Sequence, residues 1–254
     1  YESVLIPSTQ GRMTLCVSSQ VGCSFDCAFC HTGTQKLERN LTAAEVVGQY
    51  ALLQEHIGVD RPITNVVFMG QGEPLLNFRN VGKAIQLLKD AFSLSNHRIT
   101  VSTSGVVKAI PMVADFKARL AVSLHAPNDT LRHELMPSTR HQGTMQDLMA
   151  ACAEYSLRTS GSNRRITFEY ILLRHVNDQI READELGELL RSVPFKAHVN
   201  LLPFHKWPGS TFEPSDNMHA FKERLERKHG IACTARPSRG TDIMAACGQL
   251  KATS

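Results

Sequence analysis

The stretch CVSSQVGCSFDCAFC, residues 16–30, constrains this chain more than any other part of its sequence. It holds four of the seven cysteines. Three of them, Cys23, Cys27 and Cys30, have the spacing C-x3-C-x2-C, which can supply three corners of an iron–sulfur cube and leave the fourth iron open. A zinc site would need a fourth Cys or His at a suitable distance, and His31 follows Cys30 too closely to complete a tetrahedron easily. The spacing therefore favours a cluster with one open iron over a zinc knuckle or disulfides.

The composition is that of a globular protein with one large core. The 254 residues are 42% hydrophobic and 20% charged, as in ordinary globular domains. We find no long apolar run and no secretion signal, and we therefore expect a cytoplasmic protein that does not enter a membrane. Seven cysteines clustered toward one end fit a reducing compartment with thiol or metal chemistry. The net charge of +4 permits a nucleic acid partner without arguing strongly for one.

Strand-like segments alternate with helical ones along the chain. Strands are predicted at 1–7, 13–19, 63–70, 98–104, 119–125, 165–173, 197–203 and 231–237. Helical spacing of apolar residues predicts helices at 41–56, 79–92, 106–115, 144–158, 181–191 and 216–229. Thr42, followed three residues later by Glu45, predicts the N-cap of the first helix. The alternation predicts an α/β fold with a parallel sheet, a partial (β/α)6 barrel of the TIM type over residues 1–254.

Polar segments follow several of these strands, at the barrel end where chemistry is expected. They are GQGEP at 70–74, STSG at 102–105, SLHAPND at 123–129, HVND at 175–178 and LLPFHKWPG at 201–209. The glycines of GQGEP let the backbone approach a ligand and Glu73 can accept a hydrogen bond from an ammonium group, although a plain turn is the alternative. Ser102 and the segment Ser123 to His125 could bind a carboxylate or a ribose. For His125 the alternative is an ordinary polar residue at a strand end.

The cysteines outside the loop fall into two groups. Cys247, in DIMAACGQL, has small neighbours that leave space around its sulfur, although a buried free thiol is the common alternative. Cys152, on an apolar helix face, and Cys233, inside a strand, are predicted to be buried free thiols.

Basic residues recur late in the chain. A solvated helix face explains Lys222, Arg224, Arg227 and Lys228. Candidates for contact with phosphate are Arg236 and Arg239, near the barrel mouth, together with Lys36 and Arg39.

Taken together, the motifs resemble one known family. The segments CVSSQVGCSFDCAFCHTGTQ, NVVFMGQGEPLLN, ITVSTSGVV, SLHAPND and DIMAACGQL resemble the RlmN/Cfr family of radical S-adenosylmethionine (SAM) RNA methyltransferases, from about Glu2 to Leu250. The resemblance implies a 4Fe–4S cluster, two SAM molecules consumed per turnover, and methylation of an adenine ring carbon. The RlmN branch modifies C2 of an adenosine in large-subunit (23S) ribosomal RNA and in certain transfer RNAs. The Cfr branch modifies C8 of the same ribosomal adenosine and confers antibiotic resistance.

Carried over residue by residue, the resemblance assigns roles to the candidate site. The residues that match cluster ligands are Cys23, Cys27 and Cys30. Those that match SAM contacts are Gly72, Glu73, Ser102, Ser123, Leu124 and His125. His205 stands where the family has an asparagine that contacts SAM, and it is kept as a candidate. The residues that match catalytic groups are Cys247, which is methylated, Cys16, its resolving partner, and Glu2, the proton acceptor.

The mechanism implied by the resemblance needs two distant cysteines to meet. Cys247 takes a methyl group by displacement, and a radical derived from a second SAM removes hydrogen from that methyl. The methylene radical adds to adenine, and attack of the Cys16 thiolate on the Cys247 sulfur releases the product and leaves a disulfide. RNA as substrate, an electron donor such as flavodoxin or ferredoxin, and a monomeric protein are expected with it.

Three alternatives stay open. The first is the C8 reaction, and the second is a radical SAM enzyme of another class, such as an activase, which has no need for Cys16 and Cys247. The third is a non-catalytic, zinc-stabilised RNA-binding module. Family members usually carry a further N-terminal domain thought to help bind RNA. Because this chain opens with Tyr1 and soon enters a strand, we expect residues 1–254 to be a catalytic core with that domain outside it.

Overall fold

The structure is a computed structural model that describes residues 1–8, 11–159, 165–237, 240 and 243–251. The strands in these ranges are β1 (Val4–Pro7), β2 (Met13–Cys16), β3 (Gln20–Val21), β4 (Arg39–Asn40), β5 (Asn65–Phe68), β6 (Ile99–Thr103), β7 (Arg119–Ser123), β8 (Ile166–Leu172), β9 (Ala197–Pro203) and β10 (Ala232–Ala235). The α-helices are α1 (Ala43–Ile57), α2 (Phe78–Phe92), α3 (Asp129–Leu135), α4 (Met145–Arg158), α5 (Ile180–Arg191) and α6 (Met218–Arg227). Within these ranges we find no helix that is both long enough and apolar enough to cross a membrane.

One large sheet organises the fold. Its eight strands lie in the order β1-β2-β5-β6-β7-β8-β9-β10, and each neighbouring pair from β2 onward is parallel. The strands from β2 to β10 keep chain order, and right-handed crossovers between consecutive parallel strands place the helices on one face of the sheet. The sheet curls into a half-barrel with the helices outside, and it stays open because β1 and β10 are its two edges. The predicted partial barrel is therefore confirmed.

Strand β1 is the exception to the parallel pairing, because it pairs antiparallel with β2. Ser8 N, just after β1, donates a hydrogen bond to Arg12 O, just before β2, at 2.8 Å. A parallel pair needs a crossover connection of a dozen or more residues. The connection between β1 and β2 is shorter than that and therefore allows only the antiparallel arrangement.

The strands alternate between the core and the inside of the half-barrel. In β8, Phe168 and Tyr170 are buried against the helices, whereas Glu169 and Ile171 face a cavity on the inner side. Because successive side chains of a strand point to opposite faces, polar residues such as Glu169 lie on the inner wall of the half-barrel. A partly polar wall suits a binding site.

The first helix begins as predicted. Thr42 Oγ1 accepts a hydrogen bond from Glu45 N at 3.2 Å, and Glu45 Oε2 accepts one from Thr42 N at 2.8 Å. These reciprocal bonds satisfy two backbone N–H groups that the start of a helix leaves without partners.

Two elements differ from the predicted ones. Residues Val107–Phe116 form a 3-10 helix instead of an α-helix, because Pro111 inside it lacks the N–H that an α-helical bond would need. Helix α3 was not predicted. Its signal was Asn128, which caps the helix by accepting a hydrogen bond from Leu131 N at 3.0 Å.

Candidate active site

The cysteine loop brings its three sulfurs to one cavity at the carboxyl ends of the strands. Cys23, Cys27 and Cys30 all line this space. The loop turns tightly, since Cys30 N donates to Cys27 O and Gly33 N donates to Cys30 O, each at 3.0 Å. Gly33 is required by this packing, because a Cβ there would lie 2.7 Å from Cys27 O. Strands β3 and β4 pair antiparallel on either side of the loop.

The three thiols suit a bound metal cluster. Burial raises the pKa of Cys23 to about 12 and also raises the pKa of Cys27 and Cys30. Negative charge on Cys30 and Cys23 raises the pKa of Cys27 further. Thiolates in such surroundings need a cation to hold them ionised.

The number of donors bears on the choice between a cluster and zinc. Cys23, Cys27 and Cys30 line one cavity, and three thiolates can hold three irons of a cube and leave the fourth iron for another ligand. A structural zinc site would need a fourth protein ligand. The three thiols around one cavity therefore suit such a cluster.

Gly72 and Glu73 follow β5 and lie against the cysteine loop. Glu73 is 2% exposed, and its Oε1 and Oε2 accept backbone hydrogen bonds from Leu75 N at 2.9 Å and Ser104 N at 2.6 Å. Burial raises the pKa of Glu73, and these bonds offset part of the effect. Gly72 has φ of 93° and no room for a side chain, since a Cβ would lie 2.5 Å from Gln20 Cβ. The GQGEP segment is thus a built part of the cavity wall and not a plain turn.

His125 is held as a neutral ring. Burial, and then the charge of Arg132, lower the pKa of His125 to about 3. Its Nδ1 accepts a hydrogen bond from Ile171 N at 3.0 Å, so the ring proton lies on Nε2. The ring packs edge-on against Phe29 with 4.7 Å between centroids. Since Nδ1 is taken, His125 can only donate to a ligand.

The other residues predicted to contact SAM lie in different parts of the site. Ser102 and Ser123 line the cavity with His125. The side chain of Leu124 is fully buried in the core, so its backbone alone could reach a ligand. His205 lines a neighbouring groove and not this cavity. The role predicted for His205 stays a prediction.

Glu2 lies near the site without lining either cavity. Its backbone N donates to Gln71 Oε1 at 3.2 Å, and its backbone O accepts from Ser18 Oγ at 2.5 Å. Its Oε2 is buried, with no hydrogen-bond partner among the described residues. Its predicted role as a proton acceptor stays a prediction.

The C-terminal segment is attached to the cysteine loop. His31 N donates to Gly248 O at 2.7 Å, and Thr32 Oγ1 donates to Leu250 O at 2.5 Å. Gln249 Nε2 donates to Lys206 O at 2.8 Å. These bonds place Cys247 on the wall of the cavity that the three loop cysteines line.

The fold also brings Cys16 and Cys247 near each other. Cys16 ends β2, and burial followed by the nearby charge of Cys247 raises the pKa of Cys16 to about 12. Cys247 is itself an exposed residue, and the loss of water around its sulfur raises the pKa of this thiol as well. Both thiols are free. The two cysteines from opposite ends of the chain therefore lie within electrostatic reach of each other, and their predicted catalytic roles stay predictions.

A groove lies on the other side of Cys247. It has a volume of about 950 Å³ and runs between β1 and the ends of β9 and β10. The residues common to its lining and that of the cysteine-lined cavity are Leu202, Arg236 and Cys247. Cys247 therefore faces both spaces.

Several contributing residues were missed by sequence reasoning. Trp207 Nε1 donates to Phe29 O at 3.0 Å, and its ring stacks on His31 with 4.8 Å between centroids. Glu169 and Asn200 hydrogen-bond each other on the inner wall. The available signal for Glu169 was a charged residue inside the apolar strand ITFEYIL.

The basic residues predicted to contact phosphate differ in their surroundings. Arg236 lies beside the buried Glu169, Arg39 pairs with Glu45 at 2.8 Å, and Arg239 lies outside the described residues. The four basic residues at the end of α6 pair with acids of α5 and α6, as a solvated helix face predicts: Lys222, Arg224, Arg227 and Lys228.

Comparison with known proteins agrees with this geometry. Residues 17–187 match the family model of the Radical SAM superfamily, and the chain belongs to that superfamily. Within it, the similarity is to RlmN, as the motifs predicted. The dual-specificity RNA methyltransferase RlmN of Parvibaculum lavamentivorans is 48% identical over 98% of this chain and 64% of its own length. RlmN of Phenylobacterium zucineum is 47% identical over 100% of this chain and 67% of its own length.

Solved structures agree as well. A radical SAM methyltransferase from Sphaerobacter thermophilus superposes with a TM-score of 0.88 and 44% identity, over 97% of this chain and 72% of that one. A spore photoproduct lyase mutant, at 10% identity and a TM-score of 0.60, over 91% of this chain and 78% of that one, shares the fold alone. The chain spans about two thirds of the length of the RlmN proteins that it matches.

Proposed function

We propose that this chain carries the active site of a radical SAM RNA methyltransferase. It adds a methyl group to C2 of an adenosine in 23S ribosomal RNA, with transfer RNA as a second substrate, through a methylated Cys247. The observation that carries the proposal is the position of Cys247, on the wall between a cavity lined by three cysteines and a groove large enough for a nucleotide. A thiol placed there can take a methyl group on one side and deliver it on the other.

The residues of the cavity suit the two cofactors. Cys23, Cys27 and Cys30 would hold a 4Fe–4S cluster, which supplies the electron that cleaves SAM. Glu73 offers a buried carboxylate to an ammonium group. Neutral His125 offers a donor. Gly72, which has no room for a side chain beside Gln20, lets the backbone carry Glu73 into the cavity wall.

Cys16 is the residue that releases the product from Cys247. A product attached to Cys247 through sulfur leaves when the Cys16 thiolate attacks that sulfur and a disulfide forms. Burial raises the pKa of Cys16 to about 12, so this thiol is protonated in the free protein and must lose its proton before it attacks.

The names of the relatives favour the C2 reaction over the C8 alternative, since the similar curated proteins are called RlmN. An activase would leave the Cys16 and Cys247 pair without a purpose. A zinc-stabilised module would need a fourth protein ligand beside the three loop cysteines.

The proposal also includes the electron donor, the cellular compartment and the oligomeric state. The electron donor is flavodoxin or ferredoxin, and the exposed Asp26 and Ala28 within the cysteine loop leave the cluster near the surface, where an electron can enter. The seven free cysteines suit a reducing cytoplasm, and the protein acts as a monomer.

The test is anaerobic reconstitution with iron, sulfide and SAM, followed by incubation with fragments of 23S ribosomal RNA and transfer RNA. Nucleoside mass spectrometry should detect 2-methyladenosine. A product methylated at C8 would establish the Cfr-type alternative. Absence of iron binding and of any methylated nucleoside would overturn the proposal.

A further inference from the structure

The wall between the cavity and the groove contains a buried carboxylate that the proposed function leaves without a role. Glu169, in β8, is 4% exposed. Its Oε1 accepts a hydrogen bond from Asn200 Nδ2 at 3.0 Å. Its Oε2 is buried and has no hydrogen-bond partner in the described part of the chain, and Arg236 Nη1 lies 3.8 Å away. A buried carboxylate oxygen without a partner is costly, so its position calls for a function.

Glu169 and Arg236 lie close to the methyl-accepting thiol. Both residues line the same cavity as Cys247. Burial is the main cause of the raised pKa of Cys247, while the charge of Arg236 lowers that pKa and the charge of Glu169 raises it. The three groups are therefore within electrostatic reach of one another.

The methylation of Cys247 requires a base. A thiolate attacks carbon far faster than a thiol does, and the raised pKa of Cys247 leaves its sulfur protonated near neutral pH. The proton must pass to a neighbouring group before or during the transfer of the methyl group.

The other basic groups of the cavity are unsuited to this task. Glu73 has both oxygens engaged by backbone N–H groups. His125 has a pKa of about 3 and an Nδ1 already bound to Ile171 N. Among the described residues that line the cavity, Glu169 is thus the carboxylate with a free oxygen. Burial also raises its pKa, which brings it nearer to the range of an effective base at neutral pH.

We propose that Glu169 is the base that accepts the proton of Cys247, and that Arg236 and Asn200 are the residues that position it. This proposal rests on the proposed function. The proton moves from Cys247 Sγ to Glu169 Oε2, and the freed electron pair on Sγ forms the new bond to the methyl carbon of SAM. The bond between that carbon and the sulfur of SAM breaks, and its electron pair stays on that sulfur. The products are S-methylcysteine, protonated Glu169 and S-adenosylhomocysteine.

The experiment follows the first methyl transfer alone. Protein prepared under iron limitation is reconstituted with its cluster and incubated without RNA, using SAM that carries a trideuterated methyl group. Mass spectrometry of the Cys247 peptide gives the transfer rate between about pH 5 and about pH 9. The wild-type rate should rise with pH through the pKa of Glu169 and then level off, since the ionised carboxylate is the acceptor.

Glu169→Gln preserves the shape of the side chain and an acceptor for Asn200. We expect its rate near pH 7 to fall on the order of a hundredfold. The rate should then climb about tenfold per pH unit without levelling off, because the thiol must ionise without help. Arg236→Gln should move the rise of the profile to higher pH, since the cation that favours ionised Glu169 is gone, and Arg236→Lys should restore it.

Glu182→Gln is the matched control, because Glu182 is also buried but lies on α5. Its profile should equal that of the wild type. The proposal is overturned if Glu169→Gln keeps the wild-type profile. It is also overturned if the variant loses rate equally at every pH together with SAM affinity. A wild-type Cys247 that takes no label would refute the proposed function itself, and this proposal with it.

Discussion

At the scale of residues, the seven cysteines differ by what surrounds their sulfur. Cys152 and Cys233 are buried in the apolar core, where a thiol acts as a small hydrophobic group. The three loop cysteines and Cys247 line a cavity. The same residue type therefore serves packing in one place and chemistry in the other, and substitution distinguishes the two roles.

Cys27→Ala should abolish cleavage of SAM, because two thiolates cannot hold the cluster that three hold. Iron content and the yield of 5′-deoxyadenosine measure the effect. Cys152→Ala is the matched control, and it should keep both while losing about 1 kcal/mol of the free energy of unfolding. Retained cleavage by Cys27→Ala would show that the loop is not the cluster site.

Cys247→Ala and Cys16→Ala should stop the reaction at different points. Without Cys247 the cluster forms but no methyl is carried, so RNA methylation should be absent. Without Cys16 the adduct has nothing to release it, so RNA should remain covalently attached to Cys247. Gel shift under denaturing conditions and peptide mass spectrometry report the two states. RNA methylated by Cys247→Ala at the wild-type rate would refute the mechanism.

The sequence predicted the residues that form motifs and missed those that act alone. Cys23, Cys27 and Cys30 are recognisable because their spacing is itself a chemical requirement. Glu169 and Asn200 belong to separate strands, and only the parallel pairing of β8 with β9 places them side by side. No spacing along the chain encodes that meeting.

At the scale of elements, the prediction agreed with the structure where the signal lies in a few neighbouring residues. It differed from the structure where a proline alters a helix or where a helix is very short. The Thr42 and Glu45 pair predicted the start of α1 because capping depends on neighbours in sequence. The 3-10 helix at Val107–Phe116 reflects Pro111, and the missed helix α3 is too short for apolar spacing to reveal. The antiparallel pairing of β1 with β2 follows from the short polar turn that the sequence places between them.

The start of α1 should make stability depend on acid pH. Hydrogen bonds from Arg39 and then from Thr42 lower the pKa of Glu45 to about 2. Because the folded state lowers this pKa, the stabilisation is complete above the ordinary glutamate pKa of about 4.3 and is lost as pH falls toward about 2. Glu45→Gln should lower Tm by a few degrees at neutral pH, and this difference should shrink on acidification.

The control for this prediction is Glu55→Gln, which changes an exposed glutamate of the same helix. Its difference in Tm from the wild type should stay the same across the acid range. A Glu45→Gln difference that also stayed constant with pH would contradict the assigned cause.

At the scale of the whole molecule, the open sheet creates two spaces that meet at Cys247. The cavity lies at the strand ends, and the groove lies between the two edge strands. The sequence predicted the first space through its motifs. It could not predict the second, because the groove exists only where the sheet fails to close.

Filling the groove should separate RNA methylation from SAM binding. Thr234 lines the groove but not the cavity, so Thr234→Trp should leave the affinity for SAM and the methylation of Cys247 unchanged. Methylation of RNA should fall at least about tenfold, since a bulky ring excludes a base from the groove. Thr234→Ser is the control and should behave like the wild type. Equal RNA methylation by Thr234→Trp would place the RNA elsewhere.

The attachment of the C-terminal segment to the cysteine loop has a consequence for assembly. Gly248 and Leu250 accept hydrogen bonds from His31 and Thr32, the two residues directly after Cys30. Any free energy with which bound metal orders this loop also favours docking of the segment, and docking favours metal binding by the same amount. Chelation of the iron should therefore speed hydrogen exchange at residues 246–250. Through this linkage, a protein that has not yet received its metal should hold its methyl acceptor less firmly in position than the loaded protein does.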